Sequence, residues 1–170
     1  MLRFSLILGL LLAAAPATAA PVTTVPSVDL GRYVGKWYEI ASYPQRFTRK
    51  CVRDTSATYS KGKGGRIEVV NRCTTKDGDL KVAEGYANVI ESTGNAKLEV
   101  TFFWPFFGDY WVLGLDANYR WVVVGDPDRE YLWILARSKK LPQDQLDAAM
   151  AVVRSQGFNA TRLRWAVHTE

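Results

Sequence analysis

The 170 residues carry 22 basic and 17 acidic side chains, a formal charge of +5 with no dense Lys/Arg block, which argues hardly at all for nucleic acid and only weakly for acidic partners. One histidine and two cysteines leave little material for a metal centre or a histidine-based catalytic triad. In contrast, 6 Trp, 8 Tyr and 7 Phe can fill a core, and they can also line a large apolar cavity.

The first residues read as a secretory signal. Arg3 supplies a positive charge, residues 4–15 form an almost unbroken apolar run, and Pro16-Ala17-Thr18-Ala19 is a small-residue A-x-A site. The run is too short to span a membrane as a mature helix. Cleavage is expected after Ala19, because a cut after Ala20 would leave Pro21 at the new N-terminus. With no cysteine near that junction to accept a lipid, residues 20–170 are expected as one soluble domain, in the periplasm or outside the cell.

Residues 21–28 form an aperiodic Pro/Thr/Val/Ser leader, followed by a short helical turn over 29–34 capped by Asp29. Gly35-Lys36-Trp37-Tyr38-Glu39-Ile40-Ala41 opens a strand that Pro44 ends, and strict alternation points Trp37, Glu39, Ala41 and Tyr43 to one face. Turn signals then separate further strands at about 52–60, 66–73, 80–90, 96–103, 110–115, 120–125 and 131–137. Eight strands make an all-β fold, an antiparallel up-and-down barrel of the size that holds one small ligand. A single helix is expected from Pro142 to the stop at Gly157, with Leu146, Ala149, Met150 and Val153 as the stripe that packs outside the sheet. A short strand over 162–167 ends the chain.

Three motifs in this order and spacing carry a family resemblance: Gly35-Lys36-Trp37 on the first strand, Leu115-Asp116-Ala117-Asn118-Tyr119-Arg120 at the sixth turn, and Arg137 closing Tyr131-Leu132-Trp133-Ile134-Leu135-Ala136. The mature chain resembles the lipocalins, and within them it is most similar to the bacterial lipocalins. The resemblance extends over Phe102-Phe103-Trp104-Pro105-Phe106 and the C-terminal helix. It implies an eight-stranded calyx whose floor is closed by Gly35, Trp37, Asp116, Tyr119 and Arg137, with the arginine packed across the tryptophan and bonding nearby carbonyls. Bacterial members of the family are typically outer-membrane lipoproteins, whereas this chain shows no lipidation cysteine at the expected cleavage site.

In an up-and-down barrel alternate turns share an end, so the other end collects a basic loop with Arg46, Arg49, Lys50 and Arg53 around Phe47, together with Arg129 and the segment Trp104-Pro105-Phe106-Phe107-Gly108. Aromatics beside cations at an open mouth suit an acyl chain going in and a carboxylate or phosphate held at the rim. They equally suit peripheral contact with an anionic membrane. Alternation sends Glu39, Ala41 and Tyr43, Gly85 and Ala87, Leu98, Val100 and Phe102, and Tyr131, Trp133 and Leu135 inward. The expected ligand contacts are therefore Glu39, Tyr43, Arg46, Phe102, Trp104, Phe106, Tyr131 and Trp133. Glu39, an inward carboxylate, must find a partner such as a tyrosine or water, or take up a proton.

Pairing Ala57 with Ile67 and Thr55 with Val69 sets Cys51 opposite Cys73. In an oxidising compartment a disulfide is the favoured reading, with a free thiol or a metal pair as the alternatives. No phosphate-binding loop is visible, and His168 lies in an expectedly frayed tail, so no enzyme, metal or cofactor is expected. The leading function is binding or transport of a hydrophobic or amphipathic ligand of the fatty acid or lysophospholipid class, by a monomer or weak dimer. An envelope protein-interaction module using the aromatic rim is the alternative, and an isomerase acting on its bound lipid is third.

Overall fold

The computed structural model describes residues 20–169; the expected signal peptide lies outside the described residues. The strands are β1 (Gly35–Ser42), β2 (Cys51–Lys61), β3 (Ile67–Thr75), β4 (Leu80–Val89), β5 (Lys97–Phe103), β6 (Phe106–Leu115), β7 (Trp121–Gly125) and β8 (Leu132–Ala136). Each is antiparallel to the next, and β1 pairs with both β2 and β8, so the sheet closes into a barrel. A helical turn, α1 (Leu30–Tyr33), precedes β1, with Asp29 accepting from the amides of Gly31 and Arg32 at its start.

Two cores result. The inner one fills the lower barrel around Trp37, Tyr59, Val69, Leu98, Val122 and Val124. The outer one lies beneath helix α2 (Gln143–Ser155), where Ala149 and Val153 meet Leu113, Val123 and Ile134. This explains why β7 and β8 read as unbroken apolar runs: alternate residues face the inner core and the helix, so every residue of β7 is buried. Gly114 lets the helix settle, since a Cβ there would come within 2.7 Å of Val152. The four-residue repeat of Leu146, Ala149, Met150 and Val153 thus does pack outside the sheet, as its spacing requires.

Three expectations change. The β2–β3 hairpin closes later in the chain, pairing Lys61 with Ile67 and Ala57 with Asn71 instead of Ala57 with Ile67. The turn is centred on Gly64, two residues later than that pairing places it, and Gly64 and Gly65, at φ 66° and 78°, take the left-handed positions. The shift is even, so inward faces are preserved, and bulges in β2 near Arg53 bring the Cα atoms of Cys51 and Cys73 to 5.5 Å, where they form a disulfide.

The second change is a register shift in β1 between Glu39 and Ala41. This bulge reverses the alternation beyond Glu39, so Ala41 and Tyr43 join the outer core while Ser42 turns toward the barrel interior. The third concerns the tail, which is held in place. β9 (Arg164–Trp165) pairs with β1, the Asp54 amide donates to the Val167 carbonyl, and Thr169 donates to the Asp54 carboxylate. His168 Nε2 lies 2.7 Å from the Glu39 carbonyl, so this histidine is a packing residue of the barrel wall.

Candidate functional site

The barrel encloses a cavity of about 780 Å³, within the range of small-molecule sites. Beneath its lower end lies the cluster that the chain's motifs mark. Trp37 is fully buried and its indole N–H donates to the Tyr33 carbonyl. The Arg137 guanidinium stacks 3.8 Å over the Trp37 ring and donates to the carbonyls of Arg32, Tyr33, Val34 and Lys36. Such a contact contributes ~0.5 to 2 kcal/mol as cation–π, and more through the carbonyls it satisfies. Gly35 is required beside it: φ is +101°, and a Cβ would crowd Arg137 at 3.2 Å.

Asp116 organises the neighbouring turn by accepting from the amides of Asn118 and Arg120 and from the Arg120 side chain. Chiefly through that Arg120 bond, its carboxyl is held down to about 2. Tyr119, in the left-handed region at φ 59°, accepts the Asp29 amide on its hydroxyl and lies under Arg32. The floor residues therefore build structure, each polar group finding a protein partner.

Directly above Trp37 stand three tyrosines from three elements. Tyr33 comes from α1, Tyr59 from β2 and Tyr110 from β6; the hydroxyls of Tyr33 and Tyr59 lie 2.7 and 2.9 Å from that of Tyr110. Burial raises all three pKa values, that of Tyr59 to about 12, so the hydroxyls keep their protons. Higher up, Glu39 lines the cavity and accepts from the Ser42 hydroxyl at 3.0 Å, and burial raises its pKa. Its partner is thus a serine turned inward by the bulge, not a tyrosine. Between floor and mouth the apolar part of the wall is formed by Leu98, Val100 and Phe102 on β5 and by Trp133 and Leu135 on β8, while Thr55, Ser56 and Asn71 add polar lining from β2 and β3.

The mouth differs from the expectation in its details. Trp104 and Pro105 alone connect β5 to β6, because β6 begins at Phe106, paired with Phe103. Phe103, Phe106 and Phe107 line the opening with Phe47 and Tyr131, while Trp104 projects away, 77% exposed and outside the lining. Of the residues expected at the ligand, the structure brings Glu39, Phe102, Phe106, Tyr131 and Trp133 to the cavity. Tyr43 lies outside it, its hydroxyl donating to the Asn159 carbonyl beneath Arg162. Arg46 is not in the cavity lining but in a polar groove beside the mouth, with Gln45, Glu130 and Arg162, that shares Phe47 and Tyr131 with the opening. Arg129 is also absent from the rim, since its guanidinium caps the end of α2 at the Gln156 carbonyl and bonds the Ala20 carbonyl.

Of the two cations in the lining, Arg72 and Lys81, the one bonded at the mouth is Lys81, whose ammonium donates to the Phe47 carbonyl at 2.8 Å. It pairs with Cys73, so it lies on the same inward face as Ala87, and extending the alternation of β4 back to its start could have found it. The tyrosine cluster carried no comparable signal, because its members are distant in sequence. Among the described residues no group of three or more His, Cys, Asp or Glu is placed to hold a metal ion.

Comparison with known proteins agrees with this architecture. A family model described as a lipocalin-like domain matches residues 28–168. The chain is 38% identical over 151 residues to the outer membrane lipoprotein Blc of Citrobacter freundii, covering 88% of this chain and 85% of the relative. It is 37% identical over 147 residues to temperature-induced lipocalin-1 of Arabidopsis thaliana, covering 82% and 78%. Among solved structures, insecticyanin from the tobacco hornworm Manduca sexta superposes with a TM-score of 0.73 at 23% identity, covering 92% of this chain and 89% of that one. With its closed calyx and its Trp37–Arg137 floor, the chain belongs to the lipocalin family.

Proposed function

We propose that this protein binds and carries a single-chain amphipathic lipid, a fatty acid or lysophospholipid, with the acyl chain in the calyx and the acidic head at the mouth. The observation that carries this reading is the cavity of about 780 Å³, closed below by Tyr33, Tyr59 and Tyr110, walled by Leu98, Val100, Phe102 and Trp133, and opening beside Lys81. Burying ~16 methylenes at ~0.8 kcal/mol each contributes ~13 kcal/mol gross, against ~4 to 15 kcal/mol for association. A charge-assisted contact at Lys81 adds ~1.5 to 3 kcal/mol, and the net of roughly 0 to 12 kcal/mol is compatible with binding near micromolar. Among the described residues the lining carries Glu39, Glu84, Asp109 and the tyrosines but no histidine and no free cysteine, which favours carriage over catalysis.

The exposed Phe103 and Phe106 at the mouth, at 80% and 77%, support a second element of the reading: loading from a membrane surface on which these side chains rest. Similarity to outer membrane lipoproteins and the A-x-A site before residue 20 support a location in the cell envelope or outside the cell. Titration of intrinsic tryptophan fluorescence with palmitate and lysophosphatidylcholine tests binding. Saturable, equimolar quenching that weakens in Trp133→Ala and Lys81→Glu is expected; no saturable response from the folded wild type would overturn the assignment.

A further inference from the structure

The floor of the cavity is not apolar, and its hydrogen-bond count does not close. Tyr33, Tyr59 and Tyr110 carry three hydroxyl protons, and the two contacts at 2.7 and 2.9 Å use two of them. Whichever way the chain is oriented, one proton remains. If Tyr110 accepts from both neighbours its own proton is left over; if the bonds run in one direction, the proton of a terminal hydroxyl is. None of the three hydroxyls has another hydrogen-bond partner among the described residues. All three side chains line the cavity, with Tyr33 and Tyr59 buried and Tyr110 presenting part of its surface to the enclosed space. This contrasts with the Trp37–Arg137 cluster just beneath, where the indole and guanidinium donors end on carbonyls.

We propose that the tyrosine cluster is a subsite for a hydrogen-bond-accepting oxygen, a hydroxyl or carbonyl, carried at the inner end of the bound chain. The inference rests on the lipid-carrier reading and narrows it. The preferred guest has two polar ends: an acidic head beside Lys81, an apolar middle against Leu98, Val100 and Trp133, and an oxygen at the floor. From Cys51 at the mouth to Tyr59 at the floor, β2 rises ~20 Å along the barrel axis at ~3.4 Å per residue and ~40° of tilt, a depth suited to a long-chain acid. The leftover donor discriminates because an unoxidised chain end would leave it buried without an acceptor, whereas a terminal oxygen completes the network. The raised tyrosine pKa values keep the donor present across the neutral range.

The test is calorimetric titration of the full mature chain with two series of acids, unsubstituted and ω-hydroxylated, from lauric to stearic. At the chain length that reaches the floor, the ω-hydroxy acid is expected to bind about five- to tenfold more tightly than its unsubstituted counterpart. In a Y33F/Y59F/Y110F variant, of unchanged shape, the order should reverse, because the hydroxyl then enters a site with no partner for it. Equal or weaker binding of the ω-hydroxy acid at every length in the wild type overturns the subsite while leaving the carrier reading intact, and needs no variant to fold. A preference that survives in the triple variant also overturns it. If neither series binds, the carrier reading falls and the subsite with it.

Discussion

The two ends of this barrel are built from similar residues put to opposite use. At the floor an aromatic and a cation are stacked, Trp37 fully buried and Arg137 half-buried, with the guanidinium spread over five backbone carbonyls. At the mouth the aromatics Phe47, Phe103 and Phe106 stand in solvent, and Lys81 makes a single bond to a loop carbonyl. A chain of this size stabilises itself by satisfying the polar groups it buries, and it leaves apolar surface exposed where something else is to cover it. The floor is therefore where mutation should unfold the protein, and the mouth is where mutation should change what it touches.

The largest effect that would break this contrast is Trp37→Ala, which removes the fully buried ring and the surface on which Arg137 rests. A loss of ~3 to 5 kcal/mol in urea unfolding is expected. In contrast, the double substitution Phe103→Asp and Phe106→Asp should leave unfolding within ~0.5 kcal/mol of wild type, since both side chains are exposed. It should abolish cosedimentation with vesicles containing anionic lipid. Retained vesicle binding in that variant would remove the mouth from the membrane contact.

Smaller effects sharpen the comparison through pH. The folded-state pKa of Asp116 is depressed, so its contribution to stability is full above the ordinary value of 3.8 and is lost as pH falls toward about 2. Asp116→Asn should be less stable at neutral pH and show a flatter acid limb in thermal unfolding. Glu39 is opposite in sign. Burial raises its folded pKa above 4.5, so stability is highest with the carboxyl protonated and declines as pH rises through the raised value. Glu39→Gln keeps the Ser42 bond and should melt higher than wild type at neutral pH, with the difference vanishing below about 4.5.

Most of the floor was legible in the sequence, because Gly35, Trp37, Asp116, Tyr119 and Arg137 are local signatures whose order the up-and-down connectivity brings to one end. Phe102, Tyr131 and Trp133 were legible for a similar reason, since simple alternation holds along β5 and β8. The residues that moved did so where alternation fails or where a partner comes from far away. One inserted residue near Ile40 sent Tyr43 out of the cavity, and no local pattern marks a bulge. Arg129 and Arg46 read as rim cations by position in the chain, but the end of α2 captures one and a side groove holds the other. The tyrosine cluster requires α1, β2 and β6 to be placed together before it exists at all.

Native mass spectrometry of the mature protein isolated from its own host, followed by denaturing lipid extraction, addresses the carriage of lipid most directly. The account predicts one co-purified acyl lipid per chain, retained by the wild type and lost from Trp133→Ala. A protein that is folded, free of lipid, and unable to take up palmitate or lysophosphatidylcholine on addition would contradict it.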